Sequence, residues 1–194
     1  AALNTSGETT IKAKKSRDHS ELLFKYLKLP IKISKKKKYD LIRIKGKKKI
    51  PSINYRIPAD ISSSAFFIVL TALSENSKLK IKNVNINPSR TGILSILKIM
   101  KVKIKVLNRR TYKGEHIADL LIHGSKKFKS INCPIKFNSA AIDEFLLIFL
   151  IAAKADGISY FKNLSELNEK ESPRLKWGSK ILNKIGIKNF VTNN

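Results

Sequence analysis

The sequence predicts an α/β fold of the α+β kind, built from repeated βαβαββ units with some helices buried inside shells of sheet. Three observations predict it. Several short segments alternate apolar and polar residues with period two. Between them lie segments of helical length with apolar faces. The order of the two kinds recurs at a spacing of roughly 80 residues, too long for a solenoid repeat.

The elements follow in chain order. "TTIKAK" reads as a strand with one wet, lysine-rich face. "SELLFKYLK" places Leu22, Leu23 and Tyr26 on one helical face. "IKIS" and "DLIRIKG" alternate again. "SSAFFIVLTALS" follows Asp60 and a run of serines that can cap it, and its apolarity marks a buried helix. "KLKIKNVN" is a strand, "NPSR" leads into the helix "TGILSILKIMK", and "VKIKVLN" and "ADLLIHG" form a strand pair. "DEFLLIFLIAAK" is a second very apolar helix, "GISYFKNL" a strand and "SPRLKWGSKILNKIG" the last helix. Its Pro173 lies near the first turn, where a missing N–H is tolerated. Residues 1–57 read as the tail of an earlier unit, and residues 58–194 as one unit and most of a second.

Composition narrows the function. The net charge of +26 invites a nucleic-acid reading, but lysines outnumber arginines 33 to 7 and are spread along the chain. Lysine, isoleucine and asparagine share A/T-rich codons, so nucleotide bias yields the same excess. The densest runs, at 35–38 and 45–49, fit solvated loops beside strands. Arginine forks interleaved with aromatics are sparse, which argues against nucleic acid as a partner. The single cysteine, Cys133, excludes an internal disulfide and argues against a thiol metal cluster. Nothing points to a metal or cofactor. The longest apolar run, at 145–153, is too short to span a bilayer, and "AALNTSGETT" resembles no targeting peptide. The lone cysteine suits a reducing compartment, and a cytoplasmic location is the expectation.

Three constellations carry candidate chemistry. In "SAAIDEFLLIFLIAAKADG", Asp143 and Glu144 stand at the head of an apolar run. Acids there favour the helix dipole, and a carboxylate at a core edge is also a candidate general base. In "KKSRDHSE", Ser16 and Arg17 offer a hydroxyl and a guanidinium at a helix start, with Glu21 spaced for capping. In "ELNEKESPRLKW", Lys170 and Arg174 are four apart beside Glu169 and Glu171. Two cations at a helix N-terminus oppose its dipole, and an anion bound between them would supply the reason. Capping and surface salt bridges are the alternative explanations.

Together these segments resemble the 5-enolpyruvylshikimate-3-phosphate synthase family. "LNTSGETTIKAKKSRDHSE" resembles LNTPGxTTVxExxxSRDHTE, and "IPADISSSAFF" resembles VPGDPSSAAFF. "NVNINPSRTGILSILKIMKVKI", "GEHIADLLI", "AIDEFLLIFLIAA" and "LSELNEKESPRL" resemble later family segments in the family order. The resemblance covers nearly the whole chain.

It implies an enzyme of two domains, each of three βαβαββ units, with the active site in the cleft between them. It implies transfer of the enolpyruvyl group from phosphoenolpyruvate to the 5-hydroxyl of shikimate 3-phosphate by a monomer. Asp143 is then the base on that hydroxyl and Glu171 a proton-transfer partner at the methylene carbon. Lys170, Ser16 and Arg17 hold shikimate 3-phosphate, and Arg174 grips phosphoenolpyruvate. Glu144 is a supporting residue, and residues 87–92 a scaffold loop. The chain departs from the family pattern at Ala59, Leu146, Asn168 and Pro173. Further family landmarks expected before and after these segments are missing, so the chain reads as an internal fragment without measurable turnover of its own. Competing readings are a transferase acting on UDP-N-acetylglucosamine, a basic nucleic-acid-binding protein and a non-catalytic remnant.

Overall fold

A computed structural model describes residues 1–14, 16–46 and 49–192. Lys47 and Lys48 of the basic run at 45–49, and Lys15, lie outside the described residues. Strand β1 (Glu8–Lys14) leads to helix α1 (His19–Tyr26) and strands β2 (Ile31–Lys35) and β3 (Tyr39–Lys45). These strands form an antiparallel sheet in the order β1-β3-β2. Strand β4 (Lys78–Asn85), helix α3 (Gly92–Ile99) and strands β5 (Lys103–Tyr112) and β6 (Glu115–His123) repeat the pattern, in the order β4-β6-β5. In both units the third strand inserts between the first two, as an internal repeat requires.

Alternation decides which face each sheet buries. Ile11, Ile42 and Ile33 share a register position, and so do Leu79, Ile122 and Ile104. The intervening rungs carry lysines, as in Lys78, His123 and Lys103. One set of four buried residues, Leu3, Leu29, Ile42 and Ile44, sits under the first sheet. A much larger core lies between helices α2 (Ile61–Leu73), α3 and α4 (Phe145–Ala153) and the second sheet. Ile68, Ile93, Ile96, Phe145 and Ile148 have no exposed surface there. Each such side chain contributes roughly 1.5–3 kcal/mol relative to exposure.

Two bulges shape the second sheet. The register shifts between Ile81 and Val84 and between Leu107 and Arg110. Asn83 and Asn108 adopt positive φ there, a conformation asparagine tolerates. Buried Asp119 on the central strand ties both bulges, accepting from the Asn83 N–H at 3.0 Å and from Asn108 Nδ2 at 2.9 Å. These donors hold its carboxyl at a pKa of about 2. The bulge also lets Ala59 pair with the end of β4, which fixes the start of α2.

Several expectations shift in detail. The apolarity of α2 predicts burial all round, yet Phe66, Phe67 and Leu70 are exposed. The predicted strand "GISYFKNL" keeps only a single bridge at Tyr160, and the strand that forms, β8 (Ala155–Asp156), parallel to β7 (Phe128–Lys129), lies just ahead of it. Gly157 at φ +90° separates the two, because an extended strand cannot continue through that conformation. Helix α5 (Arg174–Lys184) follows Pro173, which stands at the cap position beside the first turn, as expected. Among the described residues no helix is long and apolar enough to cross a membrane.

Candidate active site

The site forms where three chain reversals meet: the loop ahead of α1, the turn ahead of α4 and the turn ahead of α5. Residues 142–144 form a turn between a 3-10 helix at Ser139–Ala141 and α4. Asp143 therefore precedes the helix, and Glu144 takes the cap position without a capping side-chain bond. Both acids are turned to other work.

Three cations converge on Asp143. Arg17 Nη2 donates to Oδ2 at 2.5 Å. Arg174 Nη1 donates to Oδ1 at 3.3 Å, and Lys170 Nζ stands 3.7 Å from the same oxygen. Partial burial raises the pKa of Asp143, but the Arg17 hydrogen bond and the charges of Lys170, Arg17 and Arg174 outweigh it. The carboxyl ends below its ordinary range. Arg174 also donates through Nε and Nη2 to Glu171 Oε1, at 3.0 and 2.7 Å. That pair lowers the pKa of Glu171 and raises that of Arg174. Lys170 reaches Glu166 at 3.9 Å.

The loop ahead of α1 is pinned by three successive side chains. Arg17 meets Asp143. Asp18, at the cap position of α1, accepts from Asn87 Nδ2 at 2.7 Å and makes no capping bond. His19 Nδ1 lies 2.5 Å from Oε1 of buried Glu115. The capping box expected at this helix start is thus replaced by contacts to distant elements. Ser16 is exposed beside Arg17, outside the ring around Asp143.

A second network, anchored on buried Glu144, stands behind the first. Ser62 Oγ donates to Glu144 Oε1. Arg90 Nη2 donates to Ser62 Oγ at 2.7 Å and to Asp60 Oδ1 at 2.9 Å. Asp60 Oδ2 in turn caps α2 through the Ser63 N–H at 2.8 Å. Burial raises the pKa of Glu144, the Ser62 bond opposes that, and the charge of Asp143 adds to it. His19, Tyr55, Ile57, Asp60, Arg90 and Glu115 line part of a cleft of about 230 Å³ beside this network.

A family model described as EPSP synthase (3-phosphoshikimate 1-carboxyvinyltransferase) matches residues 1–194. The chain belongs to the EPSP synthase family. A 3-phosphoshikimate 1-carboxyvinyltransferase of Petrotoga mobilis is 39% identical over 189 residues, covering 96% of this chain and 43% of the relative. One of Hydrogenovibrio crunogenus is 38% identical, with 96% and 42% covered. An EPSP synthase structure from Acinetobacter baumannii superposes with a TM-score of 0.84 at 36% identity, covering 94% of this chain and 40% of that one. The chain thus spans less than half the length of the curated relatives it matches.

Five of the six residues singled out from the family resemblance, Arg17, Asp143, Lys170, Glu171 and Arg174, come together in one connected ion-pair cluster. Sequence reasoning read Asp60 and Ser62 only as a helix entry and residues 87–92 only as a scaffold loop, and did not give Ser62, Arg90 and Asn87 their partners. The signal was present in "DISSS" and "NPSRTG", segments shared with the EPSP synthase family pattern, but a single polar residue in a loop gives no hint of its distant partner.

Proposed function

We propose that the chain supplies part of the active site that performs the enolpyruvyl transfer of EPSP synthases, without measurable turnover of its own. Asp143 takes the proton of the 5-hydroxyl of shikimate 3-phosphate, whose oxygen adds to C2 of phosphoenolpyruvate. The methylene carbon gains a proton, with Glu171 as transfer partner. The tetrahedral intermediate then loses that proton and expels phosphate, leaving the enolpyruvyl ether. Lys170, Ser16 and Arg17 hold shikimate 3-phosphate, and Arg174 holds phosphoenolpyruvate. Both substrates are anions, which suits a site rich in guanidinium and ammonium groups. Residues 1–57 complete one domain and residues 58–194 belong to the other, so the Arg17–Asp143 ion pair bridges the two. The protein works as a cytoplasmic monomer without a metal, cofactor or nucleic-acid partner.

The observation that carries this reading is the convergence of Arg17, Lys170 and Arg174 on Asp143. The test is titration of phosphoenolpyruvate into the purified chain, followed residue by residue by NMR. Residues 143, 170, 171 and 174 should shift together, and Arg174→Ala should abolish the response. Shifts confined to scattered surface lysines, unchanged in that variant, would sink the proposal.

A further inference from the structure

Both oxygens of Asp143 are held by cations in this ligand-free structure. Arg17 takes Oδ2 at 2.5 Å, and Arg174 and Lys170 take Oδ1 at 3.3 and 3.7 Å. A carboxylate so surrounded is a poor proton acceptor, because each cation favours its ionised form. A guanidinium does not deprotonate, so its hold weakens only when another anion competes for it.

Arg17 is the cation best placed to leave. Its side chain is 45% exposed, against 26% for Lys170 and 24% for Arg174. It stands in the short loop ahead of α1, whereas Arg174 is also tied to Glu171 and Lys170 also reaches Glu166. Its contact with Asp143 is the one ion pair it makes among the described residues.

We propose that Arg17 gates Asp143: an anionic substrate group drawn to Arg17 pulls the guanidinium off Oδ2 and frees that oxygen to accept a hydroxyl proton. The proposal rests on the transferase reading above and adds an order of events to it. The phosphate of the acceptor substrate exchanges with Asp143 for the guanidinium fork, so the ion pair is traded rather than lost. Asp143 becomes competent as a base only once that phosphate is in place. The groups facing Asp143 during the exchange are Arg17, Lys170 and Arg174. Adjacent Glu144 lies within the fields of Arg90 and Arg17, and Glu171 and Glu166 sit behind the other two cations.

The test is a 13C NMR carboxyl titration of Asp143 in the purified chain and in Arg17→Gln. Sulfate is the probe, since it keeps its two charges in the acid range where Asp143 titrates; shikimate 3-phosphate is a second arm. Sulfate should raise the Asp143 midpoint by roughly half a pH unit or more, as loss of a contacting cation does. Arg17→Gln should raise it similarly without sulfate, and sulfate should then add nothing. At neutral pH, sulfate should alter the Arg17 side-chain N–H signals, a readout that needs no acid excursion. Sulfate shifts at residues 16–20 with an unmoved Asp143 midpoint would overturn the gate while leaving Arg17 an anion ligand. An Asp143 midpoint equal in wild type and Arg17→Gln would overturn it too. Failure of phosphoenolpyruvate to perturb Arg174 would count against the transferase reading alone.

Discussion

Arg17 Nη2 and Asp143 Oδ2 lie 2.5 Å apart although 126 positions separate them in the chain. The contact joins the loop ahead of α1 to the turn ahead of α4, and it lies beside two more cations, Lys170 from the turn ahead of α5 and Arg174 from its first residue. Asp18 with Asn87 and His19 with Glu115 flank it, so the loop is registered at three points rather than one.

The ring of cations fixes the acid behaviour of Asp143. Its pKa is lowered in the folded state, so its contribution to stability is present above the ordinary carboxyl value and lost as pH falls through the folded value. Asp143→Asn should remove this dependence and cost about 1 kcal/mol at neutral pH, since the partners are partly exposed. Thermal melts of both proteins across the acid range check it. Parallel curves would show that the ion pairs do not form in solution.

Glu144 should behave with the opposite sign. Its pKa is raised, so its contribution to stability is present below the ordinary glutamate value and lost as pH rises through the folded value. Glu144→Gln keeps an acceptor for Ser62 and discards the buried charge, and should melt no lower than wild type at neutral pH. Glu144→Ala leaves the Ser62 hydroxyl without its acceptor and should cost about 1–3 kcal/mol. The two melts should therefore fall in that order. The reverse order would mean that the buried charge itself is stabilising.

Gly92 opens α3 against the 3-10 helix that leads into Asp143. A Cβ there would sit 2.7 Å from the Ala140 carbonyl carbon and 2.8 Å from Phe137 O, both backbone atoms. Gly92→Ala should cost about 1–3 kcal/mol through overpacking. Denaturant unfolding measures it, and a loss within experimental error would show that this seam is looser than its geometry.

Arg174 uses all three guanidinium nitrogens, two on Glu171 and one on Asp143. Lysine cannot reproduce that fork. Arg174→Lys should weaken phosphoenolpyruvate binding by about tenfold or more, in keeping with the strength of charge-assisted bidentate contacts. Calorimetric titration gives the number. An unchanged affinity would reduce Arg174 to a partner of Glu171.

Local pattern alone determined the repeated strand–helix–strand–strand order. A strand shows itself by alternation and a helix by apolar spacing, and both are properties of neighbouring residues. The family motifs likewise marked Ser16, Arg17, Asp143, Lys170, Glu171 and Arg174 for one site. Tertiary structure alone decided what each group touches. Local spacing made Asp143 and Glu144 look like helix-dipole partners and the start of α1, with Glu21, look like a capped one. Packing gave Asp143 to three cations, Glu144 to Ser62 and Asp18 to Asn87. It also reduced the strand predicted at 157–164 to one bridge and left Phe66, Phe67 and Leu70 of α2 exposed. The reason is one of range: alternation and capping act over a few residues, whereas a carboxylate's partners are set by chain reversals that bring positions more than a hundred residues apart within hydrogen-bond reach.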